Sequence, residues 1–340
     1  MHYELGTPGR IEKVCRSLPP LPATWVRVRM AYCGLCGTDR SHYSGDRPAE
    51  LPLSLGHEWV AVVEAIGSAV EAFAAGDVVT TDLNFRCGHC RQCAAGRSHL
   101  CERGQIGLFT NRGFATRADI HANYLRKCDA AKPVPQLALA EPMSCARHAL
   151  SLVHPVAAER VLVIGAGGIG MCMAFLLCHD SDSTFEITDL DPVRLGRIDS
   201  LVGPRGRQVL TPAGEYDVVL DVSGTVDGLR SACEEVGPGG RLCTMSHLPE
   251  ATSAPFLLDL LLDKDVTFNL SYLNGEPDNL VRSIELLEGH WTEDWNALLE
   301  IRPLDDVVAL FQEGPARAGN KIVVDIAAST AGDEIEVGSP

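Results

Sequence analysis

The sequence predicts an α/β protein in which a β-rich part and a doubly wound parallel sheet share one chain, and three observations predict it. From about residue 141 the texture alternates apolar strand, glycine loop, apolar helix and strand again, the pattern of βαβ units. Upstream, short alternating runs are separated by turn residues, as in a β-rich fold. At 340 residues the chain is long for one core and comfortable for two packed domains.

The elements follow in order. "WVRVRMAYC" at 25–33 reads as a strand, preceded by the proline-rich "LPPLPA" at 18–23. "EWVAVVEAIGSAVEAFAAGDVVTTD" at 58–82 reads as strands joined by glycine turns. A cysteine-rich loop comes next, then the βαβ region with an apolar helix over "MCMAFLLC" at 171–178. Apolar periodicity in "LVRSIELLEG" at 280–289 predicts a further helix. The terminal "STAGDEIEVGSP" at 329–340 is acidic, too polar to pack, and expected to be disordered. There is no internal repeat.

Bulk properties exclude several function classes. The longest apolar runs fall far short of the ~20 residues that span a bilayer, and no N-terminal stretch has secretory-leader character. A soluble, cytoplasmic protein is expected, so its 13 cysteines should be reduced rather than paired in disulfides. A net charge of −16 repels nucleic-acid phosphates and anionic membrane surfaces.

Cys87, Cys90, Cys93 and Cys101 follow C-x2-C-x2-C-x7-C. The short gaps turn consecutive sulfurs inward on one tight loop, and the long gap lets the chain fold back with the fourth. Four thiolates close a zinc tetrahedron and leave no position for water or substrate, so this is a structural metal site. Iron–sulfur runs use other spacings. His89, inside the loop, is a spectator.

A looser set of donors lies upstream, in "YCGLCGTDRSH" at 32–42 and "LGHEW" at 55–59. Cys36, His57 and Glu58 mix soft and hard donors, which suits zinc in an open site. Standing alone, a cysteine and a histidine so far apart are also compatible with a buried thiol and a surface histidine. Cys33 reads as packing.

"RVLVIGAGGIG" runs a strand directly into Gly165, Gly167, Gly168, Ile169 and Gly170, and a helix opens there. The glycines serve a tight turn, close approach to a pyrophosphate and close helix–strand packing, while the helix N-terminus offers N–H groups to phosphate. Asp189, in "EITDLD", ends the next strand and suits the ribose hydroxyls of NAD while repelling the 2′-phosphate of NADP. Asp191 reads as an ordinary turn acid. Arg194 is the one nearby group able to accommodate a 2′-phosphate.

The chain resembles the zinc-containing medium-chain dehydrogenases, and within them the sorbitol, threonine and polyol dehydrogenase branch. "CGTD", "GHE", "GDVV", the four-cysteine loop, "EPMS", "GAGGIG", "DVVLDVSG", "GPGGRL" and "KIVVDI" occur in that family's order over nearly the whole chain. The resemblance implies a GroES-like catalytic domain built from 1–140 and 288–340, with a Rossmann domain at 141–287 inserted between them. It also implies a homodimer or homotetramer, and two zinc ions, one catalytic and one structural.

Residue by residue, it places catalytic zinc on Cys36 and His57, with Glu58 or Glu141 as the third protein ligand. Asp39 would orient the His57 ring, and Thr38 would take the substrate proton. The implied reaction is hydride transfer between NAD and a secondary alcohol, or its reverse with a ketone. Three departures stand out. Ser41 occupies the place of a relay histidine, with His42 beside it as a substitute; Ala61 replaces a glycine; and "NLSYL" at 269–273 replaces a glycine-serine turn beside the cofactor. His148 reads as a core histidine, Cys145 as helix packing, and His121, His154, His247 and His290 have no supporting pattern.

The branch implies a polyol, sugar or aminocyclitol substrate. An arginine-rich, lysine-poor composition suits an actinobacterial biosynthetic enzyme, one oxidising an aminocyclitol such as 2-deoxy-scyllo-inosamine on the way to an aminoglycoside-type product. Two rival readings are a zinc-free reductase of activated double bonds and a non-catalytic zinc-loop binding protein. Cys36, His57 and Glu141 argue against the first, and the intact glycine loop with the acidic charge argues against the second.

Overall fold

The computed structural model describes residues 1–84, 86–103, 112–246, 256–290, 295, 298–313 and 321–330. The acidic terminal segment from 331 and His247 lie outside the described residues.

The N-terminal part is built on antiparallel pairing. Strands β1 (His2–Thr7) and β2 (Arg10–Val14) form a hairpin. β3 (Trp25–Gly34) leads into helix α1 (Gly37–Ser44), and the short β4 (Leu53–Ser54) joins the hairpin as a third strand. β5 (Glu58–Ile66), β6 (Val78–Thr81), the short helix α2 (Arg91–Ala94), β7 (Arg117–His121) and β8 (Leu125–Cys128) follow. β3 pairs β5 on one edge, and on the other it pairs β7. Every second residue of β3 from Val26 to Met30 is fully buried, the alternation expected where one sheet face meets a core.

Helix α3 (Ala140–Val153) then opens the second pattern: β9 (Arg160–Ile164), α4 (Gly168–Asp180), β10 (Thr184–Thr188), α5 (Pro192–Arg197), α6 (Asp199–Val202) and β11 (Gly206–Gln208). β12 (Tyr216–Asp221), α7 (Val226–Glu235), β13 (Val236–Thr244), α8 (Phe256–Asp263), β14 (Thr267–Leu270) and α9 (Pro277–Gly289) complete it. All pairs are parallel, and the six strands run β11-β10-β9-β12-β13-β14. The order reverses between β9 and β12, so a crevice opens at the carboxyl ends of those strands. Val161 to Ile164 of β9 are all buried, as a central strand covered on both faces requires. Helix α4 is apolar all round because the sheet covers one side and α3 the other.

After α9 the chain returns to the first sheet. β15 (Leu299–Pro303) and β16 (Lys321–Asp325) pair with each other, and β16 pairs antiparallel with β3 at Val323–Gly34. β3 and β5 to β8, from before α3, and β15 and β16, from after α9, thus build one seven-stranded mixed sheet, β15-β16-β3-β5-β6-β8, with β7 on β3. One continuous apolar cluster joins the sheets, running from Val60 and Val78 through Leu137 and Met143 to Val163, Phe175 and Val323.

Candidate active site

Pairing of β3 with β5 sets Gly34 opposite Glu58, which brings Cys36, two residues past the strand end, beside His57 and Glu58. Cys36 is the N-cap of α1, and Asp39 in that helix's first turn closes a capping box on it. Asp39 Oδ2 accepts from Cys36 N at 3.1 Å and Oδ1 accepts from Gly56 N at 3.1 Å. The same Oδ1 lies 3.3 Å from His57 Nδ1, a close charged contact rather than an aligned hydrogen bond. Nδ1 facing Asp39 leaves Nε2 as the second ring donor.

One donor atom each from Cys36, His57 and Glu58 lie within 4.8 Å of one another. A tetrahedral zinc with bonds of about 2.0–2.3 Å separates its ligand atoms by roughly 3.3–3.8 Å, so this set fits with small side-chain adjustments. His57 and Glu58 are buried while Cys36 is half-buried, so the set is reached from the Cys36 side. Burial alone would lower the His57 value, but the Asp39 and Cys36 charges outweigh it and hold the metal-free ring well above the ordinary histidine range. Burial likewise works against the Asp39 charge, and the His57 charge with the two backbone donors brings its value below the usual carboxylate range.

Glu58 is not free to face a metal alone. Lys321 Nζ, on β16, lies 2.8 Å from Oε1 and 2.5 Å from Oε2, both side chains being buried. Glu141, the other carboxylate candidate, stands outside the convergent set. Its Oε1 accepts from Cys145 Sγ at 3.2 Å, one turn on along α3, so Cys145 bonds a site carboxylate rather than only packing. Burial pushes the Glu141 carboxyl up to about 7, and the neighbouring Glu58 charge adds to the rise while His57 opposes it. Thr38 is half-buried in the first turn of α1. Of the relay alternatives, Ser41 Oγ donates to Gly37 O at 3.1 Å, and buried His42 has Nδ1 2.9 Å from Arg47 O. Cys33 is fully buried.

The glycine loop lies between β9 and α4. Gly165 adopts φ +109°, a region open to glycine, and a Cβ there would meet Ser223 at 2.9 Å. A Cβ on Gly170 would run into the Gly165 carbonyl, so helix and turn approach only without side chains. Asp189, at the end of β10, accepts from Ala166 N and Asp191 N, each at 2.8 Å, and so sits on the glycine turn. Asp191 caps α5 through Val193 N. Arg194 Nη1 is 3.8 Å from Asp189. Gly167, Gly168 and Ile169 are half-buried at the mouth of the loop, and the Lys321 stem approaches Gly168, with Cδ 3.1 Å from where a Cβ would stand. Lys321 therefore touches both centres. Sequence reasoning passed over it inside "KIVVDI", where nothing local distinguishes it from a surface lysine.

The cysteine loop forms a separate centre. Sulfurs of Cys87, Cys90, Cys93 and Cys101 lie within 4.8 Å of one another, and Cys90 and Cys101 are 3.9 Å apart. Zinc bonds of 2.3 Å imply a spacing of about 3.8 Å, so the quartet fits a closed tetrahedron. Backbone N–H groups of Cys87, Cys90 and Cys93 point at sulfurs of the set at 3.4, 3.4 and 3.5 Å. Donation from Cys93 N–H is the first of several effects that bring the Cys90 thiol down to about 6. His89 is exposed, with Nδ1 2.7 Å from Cys87 O. The lobe docks on the segment before α9: Arg86 donates to Gly275 O at 3.1 Å and pairs with buried Asp82, which also accepts from Asn274 at 3.2 Å. Glu276 accepts from Ser98 N and Oγ at 2.6 and 2.8 Å. His148 is buried against His99, ring centroids 4.8 Å apart, and burial lowers its value to about 4.

Comparison with known proteins gives three findings. The family profile for the alcohol dehydrogenase GroES-like domain matches residues 22–130. The L-threonine 3-dehydrogenase of Anaeromyxobacter sp. (strain Fw109-5) is 33% identical over 241 residues, covering 66% of this chain and 70% of that one. Among solved structures, galactitol-1-phosphate dehydrogenase from Escherichia coli superposes at TM-score 0.84 with 20% identity, covering 96% of this chain and 99% of that one. The 2R,3R-butanediol dehydrogenase from Bacillus subtilis does so at TM-score 0.81 with 22% identity, covering 96% and 99%.

Proposed function

This chain belongs to the zinc-dependent medium-chain alcohol dehydrogenase superfamily, and from that premise we propose that it oxidises a secondary alcohol of a polyol, sugar or aminocyclitol with NAD. The observation that carries the reading is the convergence of Cys36, His57 and Glu58 beside a glycine loop, with Lys321 between the two.

Bound in those places, zinc supplies a Lewis acid for the substrate oxygen and the nicotinamide supplies a hydride acceptor. Cys36 and His57 would be the fixed ligands, with Glu58 or Glu141 completing the set. Asp39 lies against Nδ1 of the His57 ring, so that its second nitrogen would be the one left to hold the metal. Thr38 takes the substrate hydroxyl proton and passes it outward. The amide groups at the start of α4 would hold phosphate, and Asp189 would receive the ribose hydroxyls. A carboxylate in that position favours NAD over NADP, and Arg194 so close to Asp189 is already engaged by it.

The cysteine quartet takes a second, structural zinc. The reading divides the chain into a catalytic domain of 1–140 with 288–340 and a dinucleotide domain of 141–287. Exposed apolar groups along one edge, Leu258 and Leu262 on α8 with Phe268 and Leu270 on β14, support a dimer or tetramer. Among the described residues no helix is long and apolar enough to cross a membrane.

Metal analysis with a substrate panel tests the whole. Two zincs per chain and NAD reduction with at least one polyol, amino sugar or aminocyclitol are expected, and 2-deoxy-scyllo-inosamine is the amine-bearing compound to include. Indifference to every amine sinks the aminocyclitol assignment and its link to aminoglycoside-type metabolism. A protein that takes up zinc yet turns over no alcohol with either cofactor sinks the dehydrogenase reading itself.

A further inference from the structure

Asp221, the last residue of β12, is fully buried at the crevice end of the parallel sheet. Its Oδ1 accepts from Ser223 N at 3.1 Å and Ser223 Oγ at 2.7 Å. Its Oδ2 accepts from Thr244 Oγ1 at 2.7 Å and Ser246 Oγ at 2.9 Å. The carboxylate therefore joins the loop after β12 to the loop after β13.

The same hydroxyls pass the order on. Ser246 Oγ accepts from Gly224 N at 3.0 Å, Thr244 Oγ1 from Ser246 N at 3.1 Å, and Ser223 Oγ from Thr225 N at 3.2 Å. Thr225 in turn caps α7 by accepting from Gly228 N. These loops stand directly against the phosphate turn. A Cβ at Gly165 would lie 2.9 Å from the Ser223 backbone, and one at Gly170 would lie 3.7 Å from the Val222 side chain.

We propose that Asp221 is a positioning residue for the dinucleotide: it holds 222–225 and 244–246 as a preformed wall of the crevice without touching the cofactor. The proposal rests on the dehydrogenase reading. Its physical content is preorganisation, because two loops already ordered by a buried acceptor need not be ordered when the ligand arrives. A carboxylate is the group required, since four donors converge on its two oxygens and an amide would turn an N–H2 toward two of them.

Asp221→Asn and Ser246→Ala test this in the intact, zinc-loaded protein. NADH affinity is read from nicotinamide fluorescence, KM for NAD and for the alcohol are measured separately, and thermal midpoints report folding. The NADH dissociation constant is expected to rise about tenfold in Asp221→Asn and by roughly threefold in Ser246→Ala. The loss falls on KM for NAD, while KM for the alcohol and kcat at saturating NAD move by less than about twofold. If folded Asp221→Asn binds NADH like the wild type, or if alcohol KM worsens as much as NAD KM, the proposal is overturned. Where Asp221→Asn does not fold, Ser246→Ala decides by the same criterion. A wild-type protein that binds neither NADH nor NADPH defeats the dehydrogenase reading first, whereas normal wild-type binding with unaffected variants defeats only the role of Asp221.

Discussion

Lys321 Nζ and the Glu58 carboxylate form a buried ion pair, 2.8 and 2.5 Å from the two oxygens, across 263 residues of sequence. The pair joins the first residue of β16 to the first residue of β5, next to His57. Burial by itself would lower the lysine's value, but the Glu58 charge overcomes this and holds the proton more firmly than usual. Taking one partner away leaves the other a buried charge without its counter-ion.

Lys321→Met is therefore expected to destabilise the metal-free protein by about 3–5 kcal/mol, the usual result of breaking a buried pair from one side. Adding Glu58→Gln should recover most of that loss, because both charges are then gone. Urea denaturation of the two variants checks it, and a single variant as stable as the wild type would remove the pair from the account.

The two cysteine-bearing centres should separate by phenotype. Cys93→Ser opens the closed quartet, so it is expected to lose one zinc and to fall in solubility or thermal midpoint before chemistry is affected. Cys36→Ser should fold with a near-normal midpoint and lose turnover. Metal content and circular dichroism melts decide, and exchanged outcomes would refute this division of roles.

Glu141 makes the metal-free protein sensitive to pH. Burial keeps its proton on up to about pH 7, whereas an unfolded glutamate releases it near its ordinary 4.5. The stability it contributes is thus full below about 4.5 and is lost as pH rises through 7. The shift corresponds to roughly 3 kcal/mol. In chelator-treated protein, Glu141→Gln should flatten the decline between those pH values relative to the wild type. An unchanged slope would show that Glu141 ionises freely.

In the proposed reading cofactor preference rests on Asp189, whose two oxygens are held by Ala166 N and Asp191 N. Asp189→Gly removes the negative charge next to Arg194 and should lower the NAD over NADP preference by about tenfold or more. The ratio of kcat/KM for the two cofactors measures it, and an unaltered ratio would mean that another group reads the ribose.

Much of this was legible in the sequence because the signals are local. The glycine loop, the four-cysteine spacing and the continuous apolar strand Val161–Ile164 each draw their meaning from neighbours within a few residues. Asp221 was less legible: a carboxylate ending a strand looks the same whether it faces solvent or four donors. The docking of the cysteine lobe by Arg86, Asp82, Asn274 and Glu276 had no signal at all, since its partners are nearly two hundred residues apart.

By itself the sequence determined the element types, the parallel sheet and the grouping of the four loop cysteines, for which backbone periodicity and short-range spacing suffice. Only the tertiary structure showed which carboxylate lies within 4.8 Å of the Cys36 and His57 donor atoms, and that Lys321 pairs with it. Glu58 and Glu141 are equivalent as residue types, and the choice between them depends on which side chain the strand pairing of β3, β5 and β16 turns toward the thiol. That direction is a property of packed backbones, in which long-range contacts select one rotamer among several that the local chain permits.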